Sequence, residues 1–310
     1  MPLDPEMRQI LDSIGFDHAQ QLESRSVEGA VAMLRAALPP PPAGLAARCE
    51  DRVLPLEGRE VPVRICWPEG DGPFPILMNF HGGGWVTGSV GADDLRCQRL
   101  TVTARCITIS VDYRLAPEHP FPAGLEDCWD ACVWAHDHAA AINGDPARIA
   151  VSGASAGGNL AAAVALRGRD SGTAFPMFQL LFYPVTDATA CGGDPAGGPY
   201  FLSRQGMDWY WARYLGNHED RRDPLVSPLL APSHAGLASA LVITAELDPL
   251  AAEARAYAEA IAAAGGEADH VEMAGMAHGF VSYGPDAART LEAMDLAAVA
   301  LRRAFGTQTH

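Results

Sequence analysis

The chain is short of positive charge. Its 22 basic residues face 38 acidic ones, leaving a net charge of −16 over 310 residues. Without a clustered basic face there is nothing to neutralise a phosphate backbone or an anionic bilayer, so neither nucleic acid nor membrane is an expected partner. Long apolar runs are missing too, and no stretch reaches transmembrane length without a charge or a proline. The opening Met1-Pro2-Leu3-Asp4-Pro5-Glu6-Met7-Arg8 has no basic segment followed by an apolar one, so no secretory signal is expected. The seven cysteines (Cys49, Cys66, Cys97, Cys106, Cys128, Cys132, Cys191) are odd in number and show no C-x-x-C spacing. Cys128 and Cys132 fall on one face of a helical stretch, but no second ligand pair sits at a suitable distance. The expectation is therefore buried free thiols, no metal, and a reducing cytoplasmic location. Internal repeats, a G-x-G-x-x-G fingerprint and a P-loop lysine motif are also absent. The 48% hydrophobic and 19% charged fractions are ordinary for a soluble globular enzyme.

What is present has a rhythm. Residues 1–45 read as helices, one with Met7, Ile10, Leu11 and Ile14 on a face and another with Val27, Ala30, Met33 and Leu34. The Pro39–Pro42 run follows as a stiff extended linker. Two alternating strands come next, near Arg52–Leu56 and Pro62–Trp67, with Glu57-Gly58-Arg59 as the hairpin turn. Short apolar runs then recur at Ile76–Phe80, Cys106–Val111, Ile149–Val151, Phe178–Tyr183, Leu241–Ala245 and Ala268–Met273. Helical patterns separate several of them, at Ala123–Ala141, Leu160–Arg167 and Leu250–Ala264, and Asp286–Phe305 closes the chain. Alternation of this kind predicts an α/β fold with a mainly parallel sheet between two helix layers. Residues 187–226 break the pattern with Gly-rich stretches and an aromatic cluster (Tyr200, Phe201, Trp209, Tyr210, Trp211, Tyr214). They are expected to be an insertion that forms a lid with the N-terminal helices, over a core made of residues 46–186 and 227–310.

The chemistry centres on Gly153-Ala154-Ser155-Ala156-Gly157, set between a β-type run and a helix-prone one. A G-x-S-x-G in that context is a nucleophile elbow: flanking glycines allow the tight turn, and the serine hydroxyl stands at a helix N-terminus. Serine needs a base, and the base an orienting carboxylate, in the chain order Ser, Asp or Glu, His. His278 follows the last strand in a loop and is the expected base. Asp248 follows the strand before it and is the expected acid; its alternative role is a plain helix cap, and Glu246 is the fallback. His81-Gly82-Gly83-Gly84-Trp85 follows a strand, and its glycines let backbone N–H groups approach a reacting carbonyl. Gly83 and Gly84, joined by Ala156, are the expected oxyanion donors, whereas His81 braces the loop.

Together these segments resemble the hormone-sensitive-lipase-like family of α/β-hydrolases, in particular its bacterial carboxylesterases. The resemblance rests on the acidic helical opening, His81–Trp85, Asp112-Tyr113-Arg114-Leu115-Ala116-Pro117-Glu118, Gly153–Gly158, Asp248-Pro249-Leu250 and His278-Gly279-Phe280. It implies an eight-stranded α/β-hydrolase sheet with a helical cap, and a Ser155–Asp248–His278 triad. It further implies hydrolysis of short- to medium-chain esters, no cofactor, and a possible homodimer. Trp85, Trp209, Tyr183 and Phe280 are the expected substrate contacts. One residue departs from the pattern: the family has Asp or Thr before the nucleophile, and this chain has Ala154.

Overall fold

The apolar runs line up as the strands of one sheet. The computed structural model describes residues 2–14, 26–36, 45, 48–190, 193–194 and 200–307; the proline run and Cys191 lie outside them. The strands are β1 (Arg48–Leu56), β2 (Arg59–Trp67), β3 (Phe74–Phe80), β4 (Ile107–Val111), β5 (Gly144–Ala154), β6 (Phe178–Phe182), β7 (Ser239–Leu247) and β8 (Ala268–Ala277). Their order is β1-β2-β4-β3-β5-β6-β7-β8, antiparallel at β1–β2 and β2–β4 and parallel from β4 onward. Every residue of β3, β4 and β6 is buried, as continuous apolar runs in a sheet covered on both faces must be.

The helices are α1 (Pro5–Ile14), α2 (Val27–Ala36), α3 (Asp94–Ala104), α4 (Ala123–Asp137), α5 (Ala156–Ser171), α6 (Arg204–Leu215), α7 (Ala251–Ala263), α8 (Phe280–Tyr283) and α9 (Ala288–Ala304). Alternate residues of each strand feed two cores. Ile149, Val151 and Val242 meet α4, α5 and α7 on one face. Ala150, Leu241 and Ile243 meet α1, α3 and α9 on the other. Helix α3 was not expected from the sequence. It buries Asp94, Arg96 and Gln98 along with Leu100 and Ala104, so its inward stripe does not read as apolar.

The connection after β3 runs to β4 on one side, and that after β5 runs to β6 on the other. The loops leaving these neighbouring strands therefore splay apart, and ligands of open α/β sheets bind in such a crevice. The glycine loop and Ser155 sit there.

All 22 basic side chains are arginines; the chain has no lysine. The fully buried Asp127 carboxylate of α4 uses that planar chemistry. It accepts Arg59 Nε at 2.6 Å and Arg114 N, Nε and a terminal nitrogen at 2.9 Å each, tying β2 and the loop after β4 to α4 through forked bonds.

One expectation is corrected. Cys97, Cys106, Cys128 and Cys132 are buried and free, and burial pushes the Cys97 and Cys106 thiols up to about 12, which keeps them protonated and inert. Cys49 and Cys66, however, are joined by a disulfide. The cause is register. The tight turn at Glu57-Gly58, with Gly58 at φ 73°, sets Leu56 opposite Arg59 and so Cys49 opposite Cys66. For this pair, free thiols no longer support a reducing location. Among the described residues no helix is long and apolar enough to cross a membrane.

A proteolytic digest left unreduced is expected to yield one cross-linked species carrying residues 49 and 66. Reduction should lower stability by no more than about 3 kcal/mol, since the hairpin already restrains the short loop that the bond closes. Two free thiols at these positions in the purified protein would refute the pairing.

Candidate active site

Ser155 occupies the junction of β5 and α5 at φ 56° and ψ −118°, a conformation rare for a residue with a side chain. Its surroundings hold it there. The Ser155 N–H donates to Phe182 O at 2.9 Å, and its carbonyl accepts from the N–H groups of Asn159 at 3.0 Å and Val185 at 3.3 Å. A Cβ on Gly153 would lie 2.2 Å from the Gly157 carbonyl, and one on Gly157 only 2.0 Å from Phe80 O. Both glycines are thus fixed by backbone-to-backbone contact, which brings the first turn of α5 against the end of β3.

His278 lies in the turn between β8 and α8, beside Gly279 at φ 84°. Its Nε2 is 2.9 Å from Ser155 Oγ and its Nδ1 is 2.7 Å from Asp248 Oδ2. Asp248 is 5% exposed and His278 6%. The other Asp248 oxygen accepts the Leu250 N–H at 2.9 Å. Asp248 thus holds the histidine with one oxygen and closes the turn ahead of α7 with the other; it does not cap that helix, whose N-cap is Leu250 with no side-chain bond. Glu246 points elsewhere: its Oε2 accepts the Gly275 N–H at 2.8 Å. His270 lies inside β8, as expected, bonded to Thr244.

The loop after β3 is packed at backbone resolution. A Cβ on Gly82 would come 3.1 Å from Ala154 O, one on Gly83 (φ 117°) 2.3 Å from Thr87 O, and one on Gly84 (φ 60°) 2.2 Å from the Tyr210 ring. Gly83 O accepts the N–H groups of Val86 and Thr87. Among the described residues, the N–H groups of Gly83, Gly84 and Ala156 donate to no protein acceptor. His81 stacks on Tyr113 at 4.2 Å and bonds Gly82 O at 2.8 Å. Burial depresses its pKa, so it stays neutral and braces the loop.

The profile of the alpha/beta hydrolase fold family matches residues 77–282, well over half of the chain, including the glycine loop, Ser155, Asp248 and His278. The chain belongs to the α/β-hydrolase fold family. Carboxylic ester hydrolase LipN of Mycobacterium tuberculosis is 42% identical over 75% of this chain; that match spans 64% of LipN, just under two thirds of its length. Carboxylesterase NlhH of the same organism is 37% identical over 98% of this chain and 96% of its own. A hyperthermophilic esterase from the archaeon Pyrobaculum calidifontis superposes with a TM-score of 0.83 at 36% identity, covering 98% of this chain and 99% of that one. These relatives bear out the resemblance to the hormone-sensitive-lipase-like group.

Ala154, where the group carries a polar side chain, is buried in β5 opposite Phe182, in an apolar layer with Leu77 and Tyr183. Glu118 anchors structure: its carboxylate receives both terminal nitrogens of Arg35 on α2, at 3.0 and 2.9 Å. Arg35 Nε also donates to Val86 O at 3.1 Å, so one guanidinium joins α2 to the glycine loop.

Of the expected substrate contacts, Trp85 is buried, stacked on Tyr214 at 4.3 Å and tilted against Trp211 at 4.4 Å. Phe280 is fully buried against Tyr183, and the Tyr183 ring lies 4.7 Å from His278. Trp209 is half-buried under Arg213. Sequence reasoning counted Tyr210 in the aromatic cluster without singling it out, yet Tyr210 covers Gly84. From the same insertion Phe201 packs on Tyr283, and both rings border Gly279. No local signal marks the contacts of Tyr210 with Gly84 or of Phe201 with Tyr283 and Gly279, since each joins segments more than 75 residues apart.

Gly84→Ala is expected to destabilise by about 1–3 kcal/mol through overpacking against Tyr210. Tyr210→Ala should relieve part of that cost, measurable as a coupling energy in a denaturant double-mutant cycle. Strict additivity would show that the two residues do not touch.

Proposed function

We propose that the protein is a serine carboxylesterase that hydrolyses short- to medium-chain carboxylic esters through an acyl-enzyme. The observation that carries this reading is the continuous chain from Asp248 Oδ2 to His278 to Ser155 Oγ, with steps of 2.7 and 2.9 Å. Relatives named as carboxylic ester hydrolase and carboxylesterase support it.

Ser155 Oγ attacks the ester carbonyl carbon while His278 Nε2 takes its proton. Asp248, accepting from Nδ1–H, fixes the tautomer and stabilises the imidazolium. The negative oxygen of the tetrahedral intermediate faces the N–H groups of Gly83, Gly84 and Ala156, which donate to nothing else among the described residues. Collapse of the intermediate expels the alcohol, protonated by His278. Water then attacks the acyl-enzyme with the same histidine as base, and Ser155 is regenerated.

Specificity comes from the cap, made of the N-terminal helices and the 187–226 insertion. The insertion reaches the glycine loop through Tyr210 and the turn after His278 through Phe201, and in this proposal those aromatic side chains wall the acyl-binding pocket on two sides. A walled pocket suits short and medium acyl chains and excludes long triacylglycerols. Tyr183 bounds it beside His278, and Trp209 lies one residue from Tyr210.

On p-nitrophenyl esters, Ser155→Ala should fold normally and lose on the order of 10⁴–10⁶ in turnover. Asp248→Asn should be heavily impaired and Glu246→Gln nearly unaffected. The reverse order would reassign the acid. Activity that peaks at long acyl chains would remove the pocket argument, and hydrolysis of amides, lactones or carbamates in place of esters would keep the triad and change the substrate class.

A further inference from the structure

The link between α2 and the glycine loop ends on the same stretch of backbone that holds the oxyanion donors. Arg35 Nε donates to Val86 O at 3.1 Å, and the Glu118 carboxylate takes the two terminal nitrogens. In a trans peptide group the C=O and the N–H point in opposite directions. The Val86–Thr87 group is therefore gripped at both ends: its oxygen takes Arg35 Nε, and its N–H, on Thr87, donates to Gly83 O at 3.0 Å. A second arm meets the first. Ala116 N–H donates to Trp85 O at 2.9 Å, and the N–H of that peptide group, on Val86, donates to the same Gly83 O at 3.1 Å. Ala116 O in turn accepts a terminal nitrogen of Arg35 at 3.4 Å.

With the Gly83 carbonyl fixed by two donors, the N–H at the other end of its peptide group is fixed as well. That N–H belongs to Gly84, and it donates to no protein acceptor among the described residues. The row runs Arg35 Nε–H, Val86 C=O, Thr87 N–H, Gly83 C=O, Gly84 N–H. It is a guanidinium followed by two peptide dipoles laid head to tail. Each bond polarises the next and strengthens it by roughly 10–30%. The sign suits an anion: the cation at one end draws electron density toward itself and leaves the Gly84 N–H a stronger donor at the other. Val86 is fully buried and Thr87 is 6% exposed, so little water competes along the row.

We propose that Arg35 is a positioning residue for the oxyanion donor Gly84, acting through two peptide groups that it orients and polarises. The proposal rests on the esterase reading, which makes Gly84 a donor. The contribution grows with the negative charge on the substrate oxygen, so it lowers the barrier of the chemical step and leaves ground-state binding almost unchanged. It also gives the N-terminal part of the cap a share in the reaction. The row is complete only with α2 seated, where Ala30 and Val31 are buried in the core.

Arg35→Met keeps an unbranched side chain and loses both the charge and the donor. With a short-chain ester, kcat is expected to fall about tenfold, less than the loss of a whole oxyanion donor would cause, while KM stays within about twofold. A short-chain trifluoromethyl ketone reads the same interaction without turnover. Ser155 Oγ adds to its carbonyl carbon, the serine proton passes to His278, and the former carbonyl oxygen carries the negative charge. Its affinity should fall by the factor lost in kcat/KM. Glu118→Gln removes the ion pair that anchors α2 and leaves the Nε bond in place, so its kcat should stay close to that of wild type. An equal loss of kcat in both variants overturns the proposal, as does a loss in Arg35→Met that falls on KM with the affinity of the ketone unchanged. Hydrogen exchange needs no substrate: the Thr87 amide should exchange faster in Arg35→Met than in wild type, and unchanged exchange there also overturns the proposal. If wild type neither turns over ester nor takes up the ketone, the esterase reading fails and the catalytic role of Arg35 with it, while the exchange result still decides whether Arg35 holds the loop.

Discussion

The molecule is organised around the close approach of two stretches of backbone. Where β5 turns into α5, the chain passes so near the end of β3 that Gly157 has no room for a methyl group beside Phe80 O. Ser155 is forced into a left-handed conformation at that point, and three hydrogen bonds from three different segments keep it there. Strain of this kind, of order 1–3 kcal/mol, persists only where surrounding structure over-determines it. The approach also sets the loop after β3 against the serine. The glycines of that loop and the first N–H of α5 share one crevice because of it.

The other two members of the constellation come from the opposite half of the sheet. Asp248 follows β7 and His278 follows β8, two and three strands away from β5. Their reach to Ser155 depends on β6 ending between them at Tyr183, itself at φ 36° and bonded to Ile243 O. The catalytic reading is local at the nucleophile and global everywhere else. A substitution in the chain around β6 can therefore disturb the histidine without touching it.

This division explains what could be read from the sequence. The elbow, the glycine loop and the residues after β7 and β8 were legible because each is a short motif at the end of an apolar run. The strand–helix alternation gave the sheet, with boundaries that grew by a few residues at β5, β7 and β8 once neighbouring strands extended the ladders. What escaped depends on register or on distant packing. The Cys49–Cys66 bond follows from a two-residue turn that fixes which residues face each other. Helix α3 hides because its buried face is polar. Arg35 has an ordinary sequence context, and only the fold brings it partners from the glycine loop and the loop after β4. The second bond of Asp248 escaped as well: its other oxygen closes a turn ahead of α7 instead of capping the helix.

The arginine-only surface has a chemical corollary. Guanidinium groups stay protonated in proteins and do not acylate under ordinary conditions, whereas the ε-amine of a lysine is a competent acyl acceptor. This chain has no such amine. An activated ester lingering near the protein meets no lysine amine, so stable amide formation on a side chain is closed off by composition. Reagents that couple through lysine, from active-ester dyes to glutaraldehyde resins, will find no side chain to hold.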